Sequence, residues 1–386
     1  MFTSIAPLTS RNFILRSFCG KFRHPPIKKN VFCIRNTQTK GFSSKSLKVA
    51  ILGAASKTGN CLSLFLKQSP LIDELAIFDS KCIYGLALDL NYIDTRCKVS
   101  TCNYPEKSLE HTLEGAKIVM IIADGTTKGE SDVHEVLKSN ADTLSDLLPN
   151  VIKFSPQAMV AVVMNPINSL IPLAIEMYKN AGVYEYNRLF GVINLSCLRA
   201  NTFAAEIIGV EPECMIVPVI GGGCSKTCIP LFSQAKPSNK LSQIEARRLT
   251  YAVRTSNEET SKANKDTGNM FLAASFAAAR FCISLCKALR HQSNVVECAY
   301  VRSCTVPELT YFAAPLELGP NGIQRHLGIP PLNDYEYELF EAAVPCLKKA
   351  IKLGQAFALG DENVSTEVCL PRHTSYGQLN SPRKSS

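Results

Sequence analysis

Lys48-Val49-Ala50-Ile51-Leu52 runs into Gly53-Ala54-Ala55-Ser56-Lys57-Thr58-Gly59, continues through the amphipathic stretch Cys61–Lys67, and returns at Leu75–Phe78 to end on Asp79. A short uninterrupted apolar run suits a strand covered on both faces, the position strands occupy in a parallel sheet. A glycine-bounded turn between that strand and a helix is the start of a dinucleotide-binding unit, because unpaired amides and the positive end of the helix dipole face a pyrophosphate there. Asp79 stands 20 residues after Gly59 (79 − 59). At the end of the second strand its carboxylate accepts from ribose hydroxyls and repels a 2′-phosphate, which points to NAD rather than NADP. The middle glycine of the loop is replaced by Ser56, whose side chain is expected to crowd the pyrophosphate, while Lys57 is expected to add a charge to it. The expected cofactor is therefore NAD, bound more weakly than by an intact loop.

Outward from this unit, further strand candidates at Lys117–Ala123, Ala158–Met164 and Leu189–Val192 alternate with helical patterns at Val136–Phe154 and Ser169–Asn180. Strands alternating with helices predict a Rossmann-type doubly wound parallel sheet over residues 47–192. After Val192 the order changes to a helix at Ser196–Ile208, a shorter strand region near Met215–Ile220, and helices near Ser242–Asn257, Met270–Leu289 and Tyr335–Phe357. A second, mixed α/β domain over 193–359 is expected, with a loose tail over 360–386, where Ser, Pro and charges lack periodicity.

The chain has 386 residues, 46% hydrophobic and 8% aromatic, which supplies one large core or two ordinary ones. Its formal charge of +9 suggests a nucleic-acid partner until the charges are located. Residues 1–46 hold Arg11, Arg16, Lys21, Arg23, Lys28, Lys29, Arg35, Lys40 and Lys45 and no acid, and the first acid is Asp73. Removing those nine leaves 33 bases against 33 acids, so the body is formally neutral. An acid-free segment with basic, hydroxyl and apolar residues interleaved has the character of a mitochondrial import sequence. The matrix is thus the expected location, with no nucleic-acid partner. No uninterrupted apolar run approaches the roughly 18 residues of a membrane span. The 16 cysteines are irregularly spaced, and neither Cys224/Cys228 nor Cys282/Cys286 has zinc-ligand spacing with matching histidines; reduced thiols and no metal site are expected.

Val163-Met164-Asn165-Pro166-Ile167-Asn168-Ser169, Gly191-Val192, Arg199-Ala200-Asn201 and Val217-Pro218-Val219-Ile220-Gly221-Gly222 resemble the mitochondrial malate dehydrogenases of the lactate/malate dehydrogenase family. The likeness runs from Lys48 to about Gly360 and includes Ser69-Pro70-Leu71, Val296-Glu297-Cys298 and Leu327-Gly328-Ile329. It implies hydride transfer between NAD and the second carbon of a dicarboxylate, with a His moving the hydroxyl proton, an Asp holding that His, and three Arg binding the substrate. The His position is Gly223, and the Asp position, three residues before Arg199, is Ser196. The two mobile-loop Arg positions are Thr127 and Val133.

Around that loop Asp124, Glu130, Asp132 and Glu135 outnumber Lys128. A unit charge at about 4 Å is worth roughly 4 kcal/mol at an effective dielectric near 20, so a dianion is repelled where the family clamps it. Arg199 remains for one carboxylate, and Asn165 and Asn140 remain beside the cofactor, unless Arg199 is a helix salt-bridge residue and Asn165 a turn residue before proline. His134 lies on the same loop without a carboxylate in register and reads as a surface residue. Loss of the general acid/base alone costs about 10²–10⁴ in rate.

The resulting expectation is a malate dehydrogenase paralogue with little or no malate oxidation, residual NAD binding and a structural or regulatory role. A dicarboxylate substrate is doubtful, and the expected partner is a second copy or an active family member. Two alternatives stand beside it: a working NAD-dependent malate dehydrogenase of the tricarboxylic acid cycle, and a dehydrogenase for an uncharged substrate.

Overall fold

The computed structural model describes residues 46–102, 105–122, 133–183, 185–237, 241–263 and 271–360, and only the backbone of 105–107 and 133–134. The elements in chain order are β1 (Lys48–Leu52), α1 (Lys57–Lys67), β2 (Glu74–Phe78), α2 (Tyr84–Asn91), β3 (Lys98–Ser100), α3 (Pro105–Leu113), β4 (Ile118–Ile121), α4 (Val133–Phe154), β5 (Met159–Val162) and α5 (Ile167–Asn180). They continue with β6 (Leu189–Val192), α6 (Asn194–Ile208), β7 (Val219–Gly221), β8 (Cys228–Pro230), α7 (Gln243–Ala263), α8 (Leu272–Leu289), β9 (Val295–Arg302), β10 (Tyr311–Gly319), β11 (Gly322–His326) and α9 (Asp334–Ala358).

One sheet carries these strands in the order β3-β2-β1-β4-β5-β6-β9-β10-β7-β8, with β11 on β10. The pairs from β3 to β6 are parallel, so the doubly wound sheet expected from the alternation is present. The chain moves from β1 outward to β2 and β3 and then restarts on the other side with β4, which makes the carboxyl ends of β1 and β4 the switch point where such sheets bind ligands. Because successive strand residues face opposite sides, the sheet feeds two cores. Ala50, Leu52, Val119, Ile121, Val160 and Val162 pack with α4 and α5. Val49, Ile51, Ile77, Ile118 and Met120 pack on the other face with α1 and α8.

The second half is joined through β9, whose Tyr300 and Ala299 pair antiparallel with Gly191 and Val192 of β6. It contributes the antiparallel part of the sheet and the mixed character expected of it. The strand region read at Met215–Ile220 is shorter in the structure: Ile216 makes an isolated bridge to Lys236 and β7 begins only at Val219. The helix expected near Met270–Leu289 is present as α8, with Arg280 and Lys287 breaking its apolar run. By length and composition α8 could cross a membrane. Here its Phe281, Cys282, Leu285 and Cys286 are fully buried in the core shared with α1 and the sheet. Residues 1–45 and 361–386, which include the basic segment and the tail, lie outside the described residues.

Candidate active site

The loop after β1 is built around two glycines. Gly53 has φ +99°, and a Cβ there would lie 1.6 Å from the Ile122 carbonyl oxygen, so only glycine lets the chain turn this close to β4. A Cβ on Gly59 would lie 2.2 Å from the Gly53 oxygen, which seats the first turn of α1 directly on the loop. Asp79, as expected, closes β2 against this loop: its carboxylate accepts from Ala55 N at 2.8 Å and Lys81 N at 3.0 Å. The loop and the Asp79 carboxylate are thus locked to each other.

Ser56, expected to crowd the pyrophosphate, directs its side chain into the loop. Its hydroxyl is folded into the loop, donating to the Gly53 oxygen at 2.9 Å and accepting from Gly59 N at 2.9 Å. As the N-cap of α1 it satisfies one of the amides a helix start leaves unpaired. The Gly59 amide at the start of α1 is therefore already occupied by the Ser56 hydroxyl. Lys57 extends toward the start of α8, with its ammonium 5.8 Å from the centre of the Phe271 ring.

Across the strand ends, Asn140 of α4 is buried, and its Nδ2 donates to the Asn165 carbonyl at 2.6 Å. Its Oδ1 is also buried and, among the described residues, has no hydrogen-bond partner. An unsatisfied buried acceptor costs roughly 1–3 kcal/mol, and an amide or hydroxyl donor on a ligand would recover that cost. Asn165 itself is exposed, just past β5. Gly53, Asp79, Asn140 and Asn165 lie at the same carboxyl edge of the sheet, and the residues present fit NAD: anchored ribose partner, glycine turn, helix start and an open acceptor.

The other half of the site is the turn between β7 and β8. Asn168, buried at the start of α5, organises it: Oδ1 accepts from Gly223 N at 2.9 Å and Nδ2 donates to Thr227 Oγ1 at 3.1 Å. Neither Asn168 nor Thr227 was singled out from sequence, although Asn168 is the second asparagine of the Asn165-Pro166-Ile167-Asn168 motif. Gly223, the position that the resemblance gives to the histidine, has no room beside it. A Cβ there would lie 2.3 Å from Ile167 Cγ2 and 3.4 Å from Ile193 Cγ2. Ile167 is β-branched and buried, so it cannot swing aside as a long side chain would.

Ser196 of α6 lies beside the buried Cys228 thiol. Burial pushes that thiol up to about 11, partly opposed by Ser196 and the nearby Arg254 and Arg199. Arg199 is half-buried, and burial lowers its pKa. Among the described residues it makes no ion pair, which argues against the helix salt-bridge alternative. Thr127 and the charged Asp124, Lys128, Glu130 and Asp132 lie outside the described residues, as do the side chains of Val133 and His134. The described cysteines are all free thiols.

A glycine turn locked to a strand-end carboxylate, followed by a second half built from α6, β7 and β8, is the architecture of a nicotinamide-dependent dehydrogenase scaffold. The chain belongs to the lactate/malate dehydrogenase family: the family's NAD binding domain matches residues 47–191 and its alpha/beta C-terminal domain matches 194–358. The mitochondrial malate dehydrogenase of Caenorhabditis elegans is 40% identical over 319 residues, covering 83% of this chain and 93% of that protein. The human mitochondrial malate dehydrogenase is 39% identical over 315 residues, covering 82% and 93%. Among solved structures, a Cryptosporidium parvum malate dehydrogenase superposes with a TM-score of 0.68 at 23% identity, covering 80% of this chain and 98% of its own. A Cryptosporidium parvum lactate dehydrogenase complexed with lactic acid and the nicotinamide cofactor gives 0.68 at 20%, covering 81% and 99%. At these identities the structural likeness speaks to the fold.

Proposed function

We propose that this chain is a mitochondrial malate dehydrogenase-like protein that is impaired or inactive in malate oxidation, binds NAD weakly, and acts in a structural or regulatory capacity. The observation that carries the reading is the filled space at Gly223, where Ile167 and Ile193 stand within van der Waals reach of any side chain. A hydroxyl proton leaving the substrate has no imidazole to accept it there. Ser196, uncharged, cannot stabilise an imidazolium as a carboxylate does. NAD, when bound, supplies the hydride acceptor; Asp79 would accept from its ribose hydroxyls and repel a 2′-phosphate. Weakened binding is supported by the Gly59 amide already being occupied by Ser56. Within this reading, residues 47–192 hold the cofactor and 193–359 the substrate remnant, and the chain assembles as a homodimer or with an active family member.

The deciding experiment is reduction of oxaloacetate by NADH with the purified protein beside an active relative. Turnover below about one per cent of the relative's is expected, and a rate above that overturns the proposal. A working malate dehydrogenase is the second reading, favoured by 40% identity over most of the chain; a rate comparable to the relative's would establish it. The mitochondrial placement rests on the acid-free basic segment at the front and on the relatives' location. A fusion of residues 1–46 to a fluorescent reporter should enter the matrix, and a diffuse cytosolic signal would refute it.

A further inference from the structure

The start of α6, the middle of α8, β9 and the stretch before β7 enclose a cavity of about 170 Å³. That is smaller than the roughly 300 Å³ at which drug-sized sites begin, and it suits a small metabolite. Glu297 of β9 stands on its wall, where Oε1 accepts from Ser284 Oγ at 2.6 Å and Oε2 from Asn194 Nδ2 at 2.7 Å. Burial raises the Glu297 carboxyl, with Ser284, Asn194, Arg280 and Lys287 opposing it. The two hydrogen bonds leave lone pairs of the carboxylate unused. Asn194, on the same wall, is only 6% exposed, and its Oδ1 is buried with no hydrogen-bond partner among the described residues. Arg280 of α8 completes the polar part of the wall and is exposed. Neither Glu297 nor Arg280 makes an ion pair among the described residues. Ile216 and Val296, 60% and 49% exposed, add apolar surface to the cavity. A desolvated carboxylate without a cation and a buried acceptor without a donor are each unfavourable, and one ammonium group would relieve both.

We propose that this cavity binds a small aliphatic α-amino acid as its zwitterion, with the ammonium on Glu297 and Asn194, the carboxylate on Arg280 and the side chain on Ile216 and Val296. An ammonium carries three donors and suits two acceptor groups held side by side, as the 2.7 Å bond from Asn194 to Glu297 holds these. The planar guanidinium of Arg280 presents paired donors to a carboxylate. The two wall charges are of opposite sign, so each end of the ligand rejects a different rival. An alkylamine leaves Arg280 without a counter-charge and brings a second cation near it. An alkyl carboxylate brings no donor for Asn194 and sets its charge against Glu297. None of these residues belongs to the cofactor edge or to the Gly223 turn, so the inference stands whether or not the chain binds NAD or turns over malate.

The test is calorimetric titration of the full chain, without NAD, using L-valine and two analogues that each lack one of its charged groups, 2-methylpropylamine and 3-methylbutanoate. L-Valine should bind with a Kd of about 10 mM or tighter, and each analogue should be at least about tenfold weaker. Arg280→Gln, at an exposed position, should weaken L-valine by about tenfold and leave 2-methylpropylamine no weaker than in the parent. Glu297→Gln should weaken L-valine by about tenfold or more. If Glu297→Gln does not fold, Arg280→Gln and the three-ligand comparison on the parent chain still decide. The proposal is overturned by no binding of L-valine, by an analogue that binds as well as L-valine, or by folded Arg280→Gln or Glu297→Gln chains that bind it like the parent.

Discussion

At the end of β1 and at the turn between β7 and β8 the chain places glycines at the edge of the sheet, yet the two are enclosed in different ways. Around Gly53 and Gly59, neighbouring backbone demands glycine, and Asp79 and Ser56 hold the loop by hydrogen bonds. Around Gly223 the neighbours are the side chains of Ile167 and Ile193, which occupy space that an imidazole would need. A loop required by its own backbone resists drift even if function relaxes. A position surrounded by side chains can exchange a polar group for apolar filling and keep its packing.

The largest effect that would sharpen this contrast is Gly53→Ala. With φ +99° and a carbonyl 1.6 Å from the new Cβ, the substitution should cost more than about 4 kcal/mol and leave little soluble protein. A variant that expresses and melts like the parent would show that the loop is not required by packing. Next is Gly223→His, expected to destabilise by about 1–3 kcal/mol through overpacking and to restore no turnover. Adding Ile167→Ala should recover part of that loss, seen as a favourable coupling in a double-mutant cycle. Activity should still need Ser196→Asp, Thr127→Arg and Val133→Arg. If Gly223→His alone is neutral in stability, the filled-space argument is wrong.

Within the cofactor half the effects should be smaller. Asp79→Ala should weaken NADH by about tenfold or more and narrow its advantage over NADPH, since charge-assisted hydrogen bonds are worth roughly 1.5–3 kcal/mol. Ser56→Gly frees the Gly59 amide and should tighten NADH by only about 2- to 10-fold, at a few tenths of a kcal/mol in stability. Fluorescence titration measures both, and a larger gain from Ser56→Gly would mean that its side chain obstructs the phosphate directly.

The smallest expected effect is electrostatic. Burial would raise the Asp73 carboxyl, but the Leu47 amide, Arg290 and Arg96 outweigh it and hold the group below its ordinary value of 3.8. A depressed carboxyl contributes stability that is present above that ordinary value and lost as pH falls through the lower folded value. Arg96 is largely exposed, which screens its share. Asp73→Asn should lower the melting temperature by about 2 °C or less at pH 7, with the difference vanishing in acid below the folded value. A difference that persists there would assign the effect to packing rather than charge.

What the sequence by itself determined is local. Apolar runs of strand length, the glycine turn and Asp79 at its interval specify β1, α1 and β2, because strand burial, positive φ and a strand-end carboxylate each leave a signature within a few residues. The positions that the resemblance gives to the histidine and the aspartate, Gly223 and Ser196, were placed by the register of Gly221-Gly222 and Arg199-Ala200-Asn201. The short β3 and β8 were not, since three residues carry too little pattern, and β9 and β10 mix burial on both faces without clean alternation. Only the tertiary structure decided how space and charge are used. Ile167 and Ile193 precede Gly223 by 56 and 30 residues (223 − 167 and 223 − 193) and meet it through the sheet. Arg254 reaches the Cys228 carbonyl from another helix. Ser56 turns inward because Gly53 and Gly59 bring an acceptor and a donor to either side of its hydroxyl. Occupied volume and unpaired charge are properties of side chains brought together from distant segments, so no window along the chain contains them.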